Sequence, residues 1–493
     1  MGKHETMSKV RLAAVCMLMT AACGPVGATE YFVDSDRGDD AASGTSAETA
    51  WKSLGKVNAA AIVAGDVVRF KRGGLWRGSL VPKSGERGKP VVYTAYGTGR
   101  KPILQQSVDR SKPGDWVEVR KGLWATLPRT IPDDVGIFIC NHGEKWGTKK
   151  WANPKWEVPA DSYWQRYIAM TKDLDYAYSG DEKRVYVVSA RNPGERFDSI
   201  ELAMTRHVVC QGGKHDIVYD GLWVRYGAAH GFGGGSTRNL TIRNCDVCWI
   251  GGGLQYWRKD EKTGKIVAPV RYGNGIEFWG TCHNNLVERN RLWECYDAAT
   301  TNQGRDDEEE DVTWRDNVIW NSEYSFEYWN SRLTRNVIFE HNTCVDAGKG
   351  WAHAQRPDPN GAHLMYYHNR AATTNFVVRN NIFCRATEWT CRSGLDWRYG
   401  LVQDHNLVYN DGDVPVMRWL DARERKLFGW ADYRALGFDG NGQFAEPLFR
   451  NPAKRDYRLL PNSPGLTLAS DGTAVGARDM PGLDEDQSVN CRR

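Results

Sequence analysis

VTWRDN (312–317) and VIFEHN (337–342) are two copies of a short pattern in which apolar and polar residues alternate and the run closes on asparagine. Alternation with a period of two is typical of β-strands, and no helical period of 3.6 crosses these segments. The closing residues of all copies are spaced 23, 46, 27, 25 and 39 residues apart, so the basic step is 23–27 residues. The other copies are IVYDG (217–221), LTIRN (240–244), LVERN (286–290) and FVVRNN (376–381).

A β unit this short cannot bury its own apolar face, so it must stack on copies of itself. One unit per turn gives a parallel β-helix, in which equivalent residues of successive turns, or rungs, lie about 4.8 Å apart. Asparagine suits the turns because it tolerates the left-handed conformation, and stacked amides can hydrogen-bond along the coil. A propeller needs blades of about 40–45 residues, and neither it nor a sandwich explains the period. The two long steps predict polar insertions near 255–273 and 346–363.

The flanking sequence predicts how the coil begins and ends. Residues 48–63 are amphipathic and predict a helix that caps the first coils, which we place in 29–105. Residues 106–200 predict a β-rich excursion packed on the coil. We expect the central rungs and an active-site groove in 201–400, and the last coils with a tail cap in 401–493.

Residues 1–28 have the pattern of a secretory signal peptide. Basic residues precede a short apolar run (12–23), and VGA (26–28) is a small-residue cleavage site. The run is shorter than the roughly 20 residues that a membrane span needs. We therefore expect a secreted or periplasmic protein. A lipid anchor at Cys23 is the less favoured alternative, because Thr20 stands where such signals usually have leucine.

Composition excludes several classes of protein. The 493 residues contain 65 Lys and Arg against 61 Asp and Glu, whereas a nucleic-acid-binding protein would carry a basic face. The mean hydropathy of −0.58 excludes a multi-span membrane protein, and we expect a monomer without a transmembrane segment. With 41% hydrophobic residues the chain can bury a core, so wholesale disorder is excluded as well.

The cysteines do not follow zinc-ligand spacing, and although export would permit disulfides, several lie inside the repeat units. We expect these to pack as small apolar side chains: Cys245, Cys248, Cys295, Cys344 and Cys384. The pairing of Cys384 with Cys391, and the state of Cys491, stay open.

Three further stretches are similar to segments of a known group of proteins. They are YFVDSDRGDDAASGTSAETAWKSL (31–54), GDVVRFKRGGLWRGSL (65–80) and the terminal DYRL with NSPG and VGARD (456–479). Together with the asparagine-punctuated rungs, they resemble secreted bacterial right-handed parallel β-helix proteins. That superfamily includes pectate-lyase-like polysaccharide lyases and several glycoside hydrolases. The resemblance covers about residues 31–480. It implies an all-β, right-handed parallel β-helix and an extracellular carbohydrate-active protein. The resemblance does not identify catalytic residues, so the site is argued from individual residues.

Three acidic residues are candidate catalytic groups. IEFW in GNGIEFWG (273–280) and FEYW in YSFEYWN (324–330) are near copies, which places Glu277 and Glu327 at the same point on the coil. Asp297 lies on the rung between them. One or two rungs correspond to about 5 or 10 Å, close to the carboxyl separations of retaining and inverting glycosidases. Stacked carboxylates also raise the pKa of one another, which keeps a general acid protonated.

The same stretches contain aromatic and amide side chains suited to sugar rings, and we expect Trp279, Trp329 and Gln303 to bind substrate. The alternatives for the acids are a calcium site or a purely structural role. We expect no required cofactor, with calcium as the alternative. The acidic run DDEEED (306–311) favours a solvated loop over a metal site.

A long loop supplies further candidates. GWAHAQRPDPNGAHLMYYHN (350–369) contains turn-forming Pro and Gly residues, and long loops on rigid scaffolds commonly carry function. Arg356 could hold a carboxylate or sulfate of the substrate in a bidentate manner. The predicted substrate-binding residues of this loop, together with a weaker candidate in HGFGGG (230–235), are His353, Arg356, Asp358, His363 and His230.

Three functions follow from these residues. In a glycoside hydrolase, Asp297 and Glu327 form the acid/base and nucleophile (or water-activating) pair, and Glu277 tunes them. In a polysaccharide lyase, His353 or His363 is the base, and Arg356 or calcium neutralises a uronate. In a non-catalytic adhesin, the same residues bind a glycan without cleaving it. The hydrolase is the favoured hypothesis.

Overall fold

The computed structural model describes residues 27–151, 153, 155–304, 308–330, 334–369, 373–394, 400–420 and 425–478. The chain coils into a parallel β-helix, as the 23–27-residue period predicts. Three long sheets run side by side along the coil, and each central rung adds one strand to each sheet. One such rung consists of Cys282–Glu288, Arg291–Cys295 and Ala298–Gln303. The predicted signal peptide lies almost entirely outside the described residues.

The three sheets are named here by their order along a rung. Within the described ranges, sheet 1 comprises Glu30–Val33, Val67–Lys71, Val91–Tyr96, His215–Asp220, Arg238–Arg243, Cys282–Glu288, Glu309–Arg315, Thr334–Glu340, Thr373–Arg379 and Leu401–Asp404. Sheet 2 comprises Leu75–Arg77, Ile103–Gln105, Ser107–Asp109, Val135–Cys140, Lys145–Trp146, Ile200–Met204, Trp223–Gly227, Asp246–Ile250, Arg291–Cys295, Val318–Trp320, Thr343–Ala347, Ile382–Ala386, Leu407–Tyr409 and Gln443–Phe444. Sheet 3 comprises Val209–Cys210, Phe232–Gly233, Ile276–Trp279, Ala298–Gln303, Tyr324–Asn330, Ala362–Asn369, Trp389–Gly394, Met417–Leu420 and Arg425–Phe428.

The remaining elements lie outside the three long sheets. Within 106–200, a separate sheet is formed by Trp116–Arg120, Leu123–Thr126, Thr148–Lys149, Asp175–Ser179 and Arg184–Val188. Two hairpins pair Gly253–Lys259 with Ile266–Tyr272 and Phe449–Asn451 with Asp456–Leu459. The described α-helices are short: Leu54–Ala59, Pro193–Arg196, Trp351–Gln355 and Trp430–Ala435. The helix expected over 48–63 is therefore only six residues long, and its capping role stays a prediction.

The predicted asparagine ladder is present inside the coil. The backbone N–H and the side-chain amide of Asn290 both donate to Oδ1 of Asn317, each at 3.0 Å. The same contacts repeat from Asn317 to Asn342 and onward to Asn381 and Asn406. Each buried amide thus satisfies backbone and side-chain groups of the preceding rung, which fixes the rungs in register.

The expected left-handed conformation belongs to a different residue. It is adopted by the residue that precedes each ladder asparagine, such as Arg289 (φ 55°) and Asp316 (φ 55°). Asn244 is in this left-handed position (φ 53°), and the ladder place on its rung is taken by Cys245, whose N–H donates to Asn290 Oδ1. The turn therefore needs the left-handed residue and the ladder amide at adjacent positions.

Two insertions leave the coil at the same corner, between sheets 2 and 3. The first is the hairpin 253–272, and the second contains the helix Trp351–Gln355. Both were expected from the long steps in the repeat. Excursion residues connect them: Gly147 O accepts from Gln355 Nε2 at 2.8 Å, and the rings of Trp151 and Trp257 lie 5.8 Å apart. Together they form a wall beside the outer face of sheet 3.

The five repeat-unit cysteines are fully buried in the core, as expected. All described cysteines are free thiols, Cys384 and Cys391 included, and Cys491 lies outside the described ranges.

The expectation of a solvated acidic loop is wrong for Glu309. That residue begins the strand Glu309–Arg315 and is buried, because sheet 1 continues through it. In the described part of the chain, no helix is long and apolar enough to cross a membrane.

Candidate active site

A cavity of about 840 Å³ opens on the outer face of sheet 3, within the 300–1,000 Å³ typical of ligand pockets. Side chains of sheet 3 form its floor: Glu277, Trp279, Gln303, Glu327 and Tyr367. The other lining residues used below come from the excursion, from the two insertions and from the turns that precede strands of sheet 3: Trp151, Trp164, Tyr167, His207, His230, Arg258, Arg271, Tyr272, Asn274, Tyr296, Asp297, Arg356 and Asp358.

Strand register explains why the acids meet. Glu277 pairs with Thr301, and Thr301 pairs with Glu327, so the two glutamates occupy one lateral position two rungs apart. Alternation along the strands sends the next residue of each, Phe278 and Tyr328, into the core. Asp297 is on the intervening rung, as expected, but it precedes the strand Ala298–Gln303 and approaches the cavity from the corner.

Glu327 is the acid most strongly held in its protonated form. Its carboxyl is buried and accepts a hydrogen bond from Gln303 Nε2 at 2.7 Å. Burial raises its pKa to about 8, and the negative charges of Asp297 and Glu277 add to the shift. Glu327 therefore carries its proton at neutral pH.

Glu277 is held by a neutral histidine. Its Oε2 accepts from Asn274 Nδ2 at 2.9 Å and lies 3.1 Å from His230 Nε2. Because His230 Nδ1 accepts the backbone N–H of Asn274 at 2.9 Å, its proton is on Nε2 and points at Glu277. Burial lowers the pKa of His230 to about 3 and raises the pKa of Glu277 to about 7.

Asp297 is the acid that has a cation beside it. Arg356 Nη1 donates to Asp297 Oδ1 at 2.5 Å, and the Gly273 N–H donates to Oδ2 at 3.0 Å. Burial raises the pKa of Asp297, and the Arg356 guanidinium opposes that shift by favouring the ionised form. Arg356 also donates to Tyr296 O and lies over the Tyr296 ring. The Arg356 guanidinium is therefore ion-paired with a carboxylate of the protein itself, Asp297.

The other sequence-predicted binding residues divide into two groups. Trp279 is exposed at the cavity, with Trp329 beside it at a ring distance of 5.9 Å, and the side chain of Asp358, which lines the cavity from the second insertion, is 70% exposed. His353 is not among the lining residues, because its Nδ1 pairs with Glu323 Oε2 at 3.1 Å. His363 is buried inside the coil against Ser325 Oγ, so its position gives a binding role no support.

Several lining residues were not anticipated. His207 stacks on His230 with ring centroids 5.0 Å apart and accepts the His230 backbone N–H. The excursion contributes Trp151 and Trp164, and the hairpin contributes Arg271. The high tryptophan content was the only sequence signal for the excursion residues, since they are more than 100 positions from the acids. Across the described residues, no cluster of three or more His, Cys, Asp or Glu side chains is arranged to hold a metal ion.

Comparisons with known proteins give no family. No protein-family model and no curated protein matches the chain. Among solved structures, a glycoside hydrolase aligns at 8% identity with a TM-score of 0.51, over 79% of this chain and 89% of that one. XylC in complex with xylose aligns at 12% identity (TM-score 0.46; 80% and 70% covered). The pectate lyase Pel9A aligns at 11% identity (TM-score 0.45; 92% and 97% covered). At 8% identity the first of these shows a shared fold alone.

Proposed function

We propose that the protein is a secreted enzyme that hydrolyses glycosidic bonds in an extracellular polysaccharide. One observation carries the proposal: three carboxyls, two buried and one partly buried, line one open cavity, and among the described residues only Asp297 of the three is in contact with a cation, Arg356. A pair of titratable groups whose environments separate their pKa values is what acid–base catalysis at neutral pH requires.

The proposed reaction assigns one role to each group. Glu327 donates its proton to the glycosidic oxygen as the bond between that oxygen and the anomeric carbon breaks. Asp297, whose ionised form is favoured by Arg356, either attacks the anomeric carbon or removes a proton from the attacking water. In both cases the oxygen of one water molecule ends on the anomeric carbon, and the leaving sugar gains one proton. Glu277 raises the pKa of Glu327 through its charge.

Aromatic and amide groups on the floor are suited to hold the sugar. Trp279 presents an exposed ring, with the Trp329 ring next to it, and aromatic faces pack well against the apolar faces of sugars. Gln303 lies between these two residues on the strand register and already contacts Glu327. A sugar bound on this surface would therefore lie beside the proposed general acid.

The three residues that the sequence analysis assigned to a lyase do not meet the requirements of β-elimination. A lyase needs a base beside the substrate and a cation free to neutralise a uronate. His363 is enclosed in the coil, His353 is paired outside the cavity lining, and Arg356 is bound to Asp297. None of the three is placed as the lyase hypothesis requires.

Product chemistry tests the proposal. The protein should be incubated with a panel of neutral, uronate-containing and sulfated polysaccharides, while new reducing ends and ultraviolet absorbance are followed together. Hydrolysis predicts new reducing ends without an ultraviolet-absorbing product. A product with a new C=C bond would establish the lyase, and glycan retention without any product would establish the adhesin.

A further inference from the structure

Arg271 is a cation of the cavity wall that the proposed chemistry does not use. Its Nε donates to Gly252 O at 2.7 Å and its Nη2 donates to Gly136 O at 3.1 Å. The guanidinium also lies over the Tyr296 ring at 4.4 Å. These contacts fix the group in place, but none of them supplies a negative charge. Among the described residues, no carboxylate oxygen lies within 4.0 Å of Arg271.

Arg258 adds a second such cation on the same hairpin. It lies on the strand Gly253–Lys259, is exposed and lines the cavity. In the described ranges it too has no carboxylate within ion-pair distance. The lining acid of the second insertion, Asp358, lies 3.9 Å from Arg356 Nε, and its side chain is 70% exposed. Both hairpin guanidiniums therefore line the cavity without a carboxylate partner among the described residues.

Arg271 lies close to the proposed catalytic carboxylate, Asp297. Arg271 and Arg356 both lie over the ring of Tyr296, at 4.4 and 4.8 Å, and Tyr296 directly precedes Asp297. A group bound by Arg271 would thus be close to the proposed catalytic carboxylate. A fixed, partly buried guanidinium without a counter-ion is costly to desolvate, so a site that supplies the anion from the substrate accounts for its placement.

We propose that Arg258 and Arg271 bind an anionic group on the sugar at or next to the cleaved bond, so that the substrate is an acidic polysaccharide. The shared chemistry is a carboxylate or a sulfate ester, both of which accept paired N–H donors from guanidinium. This inference rests on the proposed hydrolysis and adds to it the class of substrate.

The test uses glycans that differ only in charge: a uronate-containing polysaccharide and its carboxyl-reduced form, and a sulfated polysaccharide and its desulfated form. The wild-type protein should prefer the charged member of one pair, and the pair identifies the anion. Arg258→Gln and Arg271→Gln should each lower kcat/KM for that member roughly 10- to 100-fold, mainly through KM. Both should leave kcat/KM for the neutral member within about twofold.

Controls separate the inference from folding and from the proposed function. Arg69→Gln removes a surface guanidinium paired with Glu30, away from the cavity, and should change neither value. Because Arg258 is exposed, Arg258→Gln should fold, and it tests the inference even if Arg271→Gln does not fold. Calorimetric binding of the same glycans gives a readout without turnover. Equal loss on charged and neutral glycans, or a wild-type preference for the neutral ones, overturns the inference. If the protein binds the charged glycan selectively, the variants lose that binding and no glycan is cleaved, the proposed hydrolysis is overturned and the inference about the anion stands.

Discussion

Glu277 and Glu327 are separated by 50 positions in the sequence, yet they occupy one lateral position on sheet 3 with only Thr301 between them. The spacing of parallel strands puts equivalent positions two rungs apart at about 10 Å. The coil thus converts a sequence repeat into a row of side chains on one face. Because the neighbouring positions point into the core, the row is held rigidly, which suits groups that must be positioned for chemistry.

The pH dependence of activity should show an alkaline limb set by Glu327. Loss of its proton, with a pKa raised to about 8 by burial and by the charges of Asp297 and Glu277, removes the general acid. We therefore expect kcat/KM to fall tenfold per pH unit above about pH 8. Gln303→Ala should move the limb upward, because the Gln303 amide stabilises the ionised form. Activity that falls already between pH 5 and 6 would contradict this assignment.

Glu277 and Glu327 should each lower stability as pH rises from about 4.5 towards 7 and 8. Burial lowers the pKa of His207 to about 4 and those of His230 and His363 to about 3, so these histidines act in the opposite direction up to about pH 6.5. In the unfolded chain both glutamates ionise near their ordinary pKa of 4.5, whereas burial raises the pKa of Glu277 to about 7 and that of Glu327 to about 8. For these two groups the folded state binds more protons over this window, so their contribution to the free energy of unfolding decreases on the order of 1.4 kcal/mol per pH unit and group, roughly 8 kcal/mol in total. Urea unfolding at several pH values measures the slope. Glu327→Gln should remove the Glu327 contribution, so the stability of the wild type relative to the variant should fall as pH rises, and a difference between the two that does not change with pH would count against the raised pKa.

The ladder asparagines should contribute more to stability than the left-handed asparagine. Asn317→Ala removes an acceptor for two donors of Asn290 and a donor to Val287 O. Leaving buried groups unsatisfied should cost about 3 kcal/mol or more. Asn244→Ala should cost about 1–2 kcal/mol, because it loses partly exposed hydrogen bonds to Asp220 and from Arg289 and strains a positive φ. Urea unfolding of both variants gives the comparison, and equal losses would argue against the ladder as the source of register.

The fold and the acid row were accessible from sequence because both depend on periodicity. The alternation of apolar and polar residues predicted the strands, and the spacing of the asparagines predicted the length of a rung. The near copies IEFW and FEYW predicted that Glu277 and Glu327 occupy equivalent positions. Contacts made by insertions follow no period. The Arg356–Asp297 pair, the inward direction of His363 and the approach of Trp151 depend on how irregular segments pack on the coil. Local sequence does not encode such packing, so these parts of the site required coordinates.

The most direct test of the central claim is the activity of Glu327→Gln on a polysaccharide that the wild-type protein cleaves. Removing the general acid should lower kcat about 10²- to 10⁴-fold, while the circular dichroism spectrum and the thermal midpoint show an intact fold. Glu340→Gln is the matched control, since Glu340 lies on sheet 1 of the same coil and pairs with Arg379 at the surface, and it should keep full activity. A folded Glu327→Gln protein with wild-type kcat would show that the carboxyl cluster is not the catalytic machinery.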